Sequence, residues 1–529
     1  MRKKWTMTAA AVLLTAALAG CSSGGDSGAS GGDGGSGSAK DAKVAVYGST
    51  SEPVIFWDPS ESHSNEIIVL NNIYETLLRY NAADDSITPV LAESYEKSED
   101  GLTWTFHLKK NVKFHSGKTM TSADVKKSFE RTIKLGKGAA YILDPIDTIE
   151  TPDDQTVVFK LKYTATLDLI VSAPYAAFIY NTDELDKQGD DYFTKGHEDG
   201  TGPYMLKSWS SGKPVVLTKF ADYHEGWSGS HYENVVFQTV ADANTKAQMV
   251  KNGELTYVDM LPVQQLNALK SDSSVSVVTT PSYQNLIGFL NTKSEKLSDP
   301  KVREALVDAF PYDRVVNDVM GGTATAANGP LPKGLWGHDD SLPAPKYDLE
   351  KAKSLLLEAG VKNLTLTLTY TTGDSNQQQI AELYKATLAQ IGVTLDVKPM
   401  PWDSQWQLAK ATDPSQRQDI FMMYWWPDYA NPYGFMYSLF HTEKEVNYNM
   451  SYYSNADIDK LIDEANVKAG VDRAAAARMY GEAQAKLNQD YPAIWMYDQQ
   501  YVRVINSKMQ GFVDNPAYPN VVFWYNVHP

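Results

Sequence analysis

Leu102-Thr-Trp-Thr-Phe-His-Leu-Lys-Lys-Asn-Val-Lys-Phe114 alternates apolar and polar side chains. A period of two gives one buried face, so the segment reads as a half-buried strand with a turn near Lys110-Asn111. Thr121-Ser-Ala-Asp124 follows as a capping box with Asp in place of Glu, opening a helix with Val125, Phe129 and Ile133 on one face. A turn at Asp153-Asp154 leads into a further strand that ends at Leu161. The same grammar continues downstream. Asp299 caps a helix with Pro300 at its first position, and Val302, Ala305, Leu306 and Ala309 face inward. Asp348 caps a helix that stops at Gly360. Leu364, Leu366, Leu368 and Tyr370 alternate as a strand, residues 376–391 form a helix ending at Gly392, and 393–397 form another strand. A strand–helix–strand unit favours a parallel pair with a right-handed crossover. Helices at about 456–469 and 472–489 bury Ile458, Leu461, Ile462 and Ala465, then Met479, Ala483 and Leu487. Alternating strands mixed with capped helices predict an α/β fold with some antiparallel additions.

The chain has 529 residues, which suggests about three to four domains at roughly 150 residues each. A net charge of −17 argues against a nucleic-acid partner, which would need a basic footprint. One cysteine excludes a disulfide framework and any cysteine-based zinc site. The 31 Tyr and 12 Trp are amphipathic, rigid side chains that suit ligand walls as well as cores.

Arg2, Lys3 and Lys4 precede an apolar stretch from Trp5 to Leu18. Residues 1–20 read as a signal peptide rather than a membrane span. Leu18-Ala-Gly-Cys21 resembles a bacterial lipobox, which implies a lipoprotein signal and a diacylglyceryl group on Cys21. Two acyl chains anchor stably where one does not. Residues 21–40, nearly all Gly, Ser, Ala and Asp after Cys21, form a flexible tether. Gly32, Gly34 and Gly37 match a dinucleotide-binding pattern, but without a strand before or a helix after, so the match reflects composition. The expected location is extracytoplasmic, leashed to the cell membrane at the cell surface or in the periplasm.

No catalytic constellation emerges. The nine His are scattered without an H-E-x-x-H pattern. Gly226-Trp-Ser-Gly-Ser230 only approaches a nucleophile elbow. Gly117-Lys-Thr119 lacks the first glycine of a phosphate loop, because that position is Val112. His224 and His231 near Trp227 read as structural. The chain is expected to be no enzyme and to need no cofactor or metal; a surface glycoside hydrolase or an adhesin is the competing class.

Several blocks carry a family resemblance: Asn72-Ile-Tyr-Glu-Thr-Leu-Leu-Arg-Tyr80, the stretch from Leu91 through Phe114 to Arg131, Gly200-Thr-Gly-Pro-Tyr204, Asp299-Pro-Lys-Val-Arg-Glu-Ala-Leu306, Gly329-Pro-Leu-Pro332, Trp425-Trp-Pro-Asp-Tyr-Ala-Asn-Pro432 and Tyr453-Ser-Asn455. In this order they resemble the family 5 extracellular solute-binding proteins of ABC importers, the oligopeptide, dipeptide and nickel-binding group. Two departures are the run Phe310-Pro-Tyr-Asp313 and Pro427, which removes a backbone donor beside the expected site. The resemblance implies a periplasmic-binding-protein-like fold of two hinged lobes with an inserted domain. Domain I would comprise 41–72, 200–288 and 492–529, domain II 73–199, and domain III 289–491. The hinges would lie near 283–291 and 491–497.

Residues 421–426 read as a buried strand that Pro427 ends, leaving Asp428 in a turn among aromatics. A carboxylate there is costly to desolvate unless a cation pairs with it. In peptide-binding relatives the matching Asp receives the ligand's α-ammonium. Its neighbours Tyr424, Trp425, Trp426, Tyr429 and Asn431 complete the expected loop, with one of the two tryptophans available to ligand on strand alternation. The resemblance adds Trp402 as a side-chain pocket wall, Tyr283 and Tyr497 as hinge aromatics, and Glu52 where an edge pairs with an extended peptide. The expected ligand is an oligopeptide, delivered to ABC permease and ATPase subunits. An oligosaccharide stacking on these aromatics is the alternative, and a nickel chelate, with His441 the nearest histidine, a third.

Overall fold

The computed structural model describes residues 43–54, 57–81, 84–189 and 191–529. The signal segment 1–20, Cys21 and the tether 21–40 lie outside the described residues. One mixed sheet of eleven strands organises the body. Its spine is two long antiparallel strands, Val275–Leu290 and Ala493–Asn506. On one side of this pair lie Ile420–Trp425, Thr365–Thr371 and Thr394–Met400. On the other lie Tyr257–Val258, Val44–Ser49, Asn234–Thr239, Val215–Lys219 and Tyr204–Ser208. The spine's pairing shifts register between Pro281 and Asn285 and again between Leu286 and Ile287. Such irregularities interrupt the ladder and bend the strand.

The expected strand–helix–strand unit is present: Thr365–Thr371 and Thr394–Met400 pair in parallel across the helix Ser375–Gln390. Asp374 caps that helix by accepting from the Asn376 and Gln377 amides. Asp299 and Asp348 cap Pro300–Asp308 and Leu349–Glu358 in the same way. These caps satisfy amides that a helix leaves unpaired at its start.

Residues 92–161 contain a separate four-stranded antiparallel sheet in the order Ala92–Lys97, Thr103–Leu108, Thr156–Leu161, Ile146–Asp153. Trp104, Phe106 and Leu108 are buried on its inner face. Lys109 and Lys110 precede Asn111, whose φ of 61° makes the expected turn. The helix Ser122–Leu135 opens on the Thr121–Asp124 box and packs Phe129 edge-on against Phe159 at 5.1 Å. Ile133, aligned with Val125 and Phe129 by helical spacing, is 42% exposed, so the expected buried face stops short of the helix's end.

Candidate functional site

Pro427 follows the strand Ile420–Trp425, so the chain leaves the ladder as expected and Asp428 begins an irregular turn. The residue keeps a partly accessible edge, yet its carboxyl lies among protein atoms. Burial pushes its pKa up to about 6, opposed by the Tyr141 hydroxyl and the more distant His63. Tyr141 donates to Asp428 Oδ2 at 2.6 Å. It comes from a short helical turn, Ala140–Leu143, in the segment that carries the four-stranded sheet. Among the described residues no Lys or Arg forms an ion pair with Asp428. A carboxylate whose only side-chain hydrogen bond comes from a neutral hydroxyl can receive a cation from outside, and a charge-assisted bond at a largely buried carboxyl is strong.

The surrounding aromatics divide by face. Phe421, Met423 and Trp425 turn to one core, and Ile420, Met422 and Tyr424 to the other. Trp425 is 8% exposed, packs edge-on against Tyr448 at 5.2 Å, and leaves its indole N–H unpaired. Trp426 lies just past the strand, and its indole N–H donates to Tyr175 Oη at 2.9 Å. Tyr429 is buried in the core. The buried Asn431 donates to Thr166 Oγ1 at 2.9 Å and accepts from the Tyr433 amide at 2.9 Å, so it fixes the turn. Thus Asp428, Trp426 and Asn431 each meet a residue of the 141–175 stretch.

The remaining candidates are more dispersed. Tyr424 and Tyr497 share a hydroxyl contact of 3.3 Å, with Tyr497 fully buried. Tyr283 meets Tyr80, hydroxyl to hydroxyl, at 3.4 Å, and its amide donates to Pro516 O beside the shifted register of the spine. Trp402 begins the helix Trp402–Ala409 and is 42% exposed, tilted against Trp406 at 5.4 Å. Glu52 follows Val44–Ser49 in irregular chain and accepts from the Gly212 amide at 3.4 Å. Sequence reasoning missed Tyr141, Tyr175 and Thr166, whose roles arise only when distant segments meet. His224 is engaged by the buried Glu75 at 3.0 Å and His231 by Ser228 O at 2.7 Å.

A family model described as "Bacterial extracellular solute-binding proteins, family 5 Middle" matches residues 86–447. The chain is 31% identical over 491 residues to the "Probable D,D-dipeptide-binding periplasmic protein DdpA" of Escherichia coli (strain K12), covering 90% of this chain and 93% of that protein. It is 25% identical to the oligopeptide-binding protein AppA of Bacillus subtilis (strain 168), covering 97% of each. The periplasmic binding protein DppA from Helicobacter pylori, solved in complex with the peptide STSA, superposes with a TM-score of 0.81 at 24% identity, over 92% of this chain and 98% of that one. The fold is therefore that of periplasmic binding proteins, and the work of such a chain is extracytoplasmic ligand capture rather than catalysis. This chain belongs to the bacterial extracellular solute-binding proteins of family 5, the substrate-binding components of ABC importers.

Proposed function

We propose that this chain captures oligopeptides between two closing lobes and hands them to its permease, with Asp428 receiving the peptide's α-ammonium. The observation that carries the reading is the Asp428 carboxyl itself, largely buried, answered by the Tyr141 hydroxyl, and free of any Lys or Arg partner among the described residues. The names of DdpA and AppA, and the STSA peptide bound to DppA, support a peptide ligand. Trp426 and the exposed Trp402 supply walls that accept varied side chains. Cys21, the first residue after the signal segment, carries the lipid that keeps the protein at the membrane. Cys21→Ala is expected to release the protein from the membrane fraction.

Calorimetry with a free tetrapeptide and its N-acetylated form tests the site. Asp428→Asn is expected to cost the free peptide about 1–3 kcal/mol, the scale of a lost bond to a charged group, and to leave the acetylated peptide unaffected. Equal affinity of the wild-type chain for both forms rules out ammonium recognition. Binding of an oligosaccharide and of neither peptide replaces the ligand class.

A further inference from the structure

Arg79 lies in the strand Leu78–Asn81, and alternation turns its side chain away from Tyr80 toward the C-terminal segment. Its guanidinium carbon lies over the Phe523 ring, 4.1 Å from the centroid. Among the described residues it donates no hydrogen bond and forms no ion pair. A guanidinium seated over a ring with its N–H donors unspent suits planar recognition of a carboxylate.

Arg79 lines a cavity of about 280 Å³ between residues 71–81 with Asp84 and residues 513–526. Asn71 and Asn526 also line it, as does Asn515, whose carboxamide donates to Tyr80 O and accepts from the Ala517 amide, and Val513, Tyr518 and Val521 give an apolar wall. The carboxylates sharing this cavity are already engaged. Glu75 accepts from Thr201 at 2.9 Å, Tyr223 at 2.9 Å and His224 at 3.0 Å. Asp514 accepts from Arg503 at 3.0 Å and Thr280 at 2.8 Å. Asp84 accepts from the Ser86 hydroxyl at 2.6 Å. Arg79 is the one cation lining the cavity; its charge helps hold the Glu75 carboxyl below its ordinary range, but its N–H donors make no hydrogen bond among the described residues. The negative neighbours disfavour a dianion such as phosphate and leave room for one negative charge. Pockets for drug-sized ligands start at about 300 Å³, so this one fits a small molecule.

We propose that this cavity is a second binding site, for a small monocarboxylic acid with an apolar body, held by the Arg79 fork with its hydrocarbon against Tyr518 and Val521. The site shares no residue with the Asp428 region and stands independently of the peptide reading.

Titration calorimetry on the full chain tests it, with benzoate as probe, benzamide as its uncharged counterpart, and inorganic phosphate as the dianion. Benzoate is expected to bind saturably, and benzamide and phosphate to bind weaker by about tenfold or more, the scale of one charge-assisted bond. Arg79→Gln is expected to abolish benzoate binding. Asn526→Asp, at an exposed position where folding is not at stake, is expected to weaken it severalfold by adding a like charge, and Asp428→Asn to leave it unchanged. No saturable benzoate binding, equal binding of benzamide, tighter binding of phosphate, or insensitivity to Asn526→Asp each overturns the proposal.

Discussion

At Asp428 two opposing effects set the chemistry. Burial raises the carboxyl's pKa to about 6, while the Tyr141 hydroxyl works to lower it. An arriving ammonium favours the ionised form and lowers the value further. The sign follows: the ligand-free chain binds more protons than the complex near pH 6, so acid opposes binding. Peptide affinity is expected to be highest near pH 7, to fall by up to about tenfold per unit below about pH 6, and to decline again toward pH 8 as the peptide's own α-ammonium, with a pKa of about 7.7–8.0, loses its proton. Calorimetry from pH 5 to pH 8 checks this, and an acetylated peptide should give a flat profile. A flat profile for the free peptide would place its ammonium elsewhere. The setting of the residue was legible in sequence, because Pro427 ends a strand and leaves a carboxylate in a turn among Tyr and Trp; its proposed role came from the family resemblance. Its partner was not legible: Tyr141 is 287 positions away, and nothing in Ala140-Tyr141 marks that contact. Strand alternation separates the faces of Tyr424 and Trp425, but Trp426 lies past the strand end, where the contact with Tyr175 decides its place.

Among the elements, the block Gly200-Thr-Gly-Pro-Tyr204 shows why glycine stands where it does. A Cβ on Gly200 would lie 2.1 Å from Ile73 O, and one on Gly202 would lie 2.6 Å from the same atom. The Gly202 amide donates to that oxygen at 2.8 Å, and Tyr204 N donates to Asn72 O at 3.1 Å. Beside this junction, Glu198 accepts from the amides of Gly200 and Leu206, each at 3.0 Å, and from His115 at 2.7 Å. Two backbones are thus in direct contact with no room between them. Gly200→Ala is expected to lower stability by about 1–3 kcal/mol, the usual cost of overpacking, seen as a lower urea midpoint. An unchanged midpoint would mean that the junction yields. The capped helices at Asp299, Asp348 and Thr121 were readable because a cap engages amides only two or three residues ahead. The Gly200 block stood out only as a motif, since its reason lies in a neighbour from another part of the chain.

For the whole molecule, the long-range connections were the unreadable part. The spine strands Val275–Leu290 and Ala493–Asn506 each appear locally as ordinary apolar runs, yet together they join strands from both ends of the chain into one sheet. Between them the ladder is continuous from 275 to 281 and again from 287 to 289, with the register slipping in the interval. There the Ser282 hydroxyl donates to Gln499 O, a side-chain bond standing in an interrupted stretch of ladder. A strand pair with missing rungs bends at lower cost than one with all of them. The segments expected as hinges, 283–291 and 491–497, overlap this interval, and we propose that lobe closure is absorbed there. Closure must also be driven by a ligand that binds the closed form better. Saturating peptide is therefore expected to reduce the radius of gyration in small-angle scattering and to slow amide exchange at 282–286. Asp428→Asn, by removing an interaction that a closed cleft strengthens, should require more peptide for the same contraction. If peptide binds while both the radius and the exchange of these amides stay constant, capture proceeds in a rigid cleft, and the register shifts serve only to fit two sheet halves of different twist.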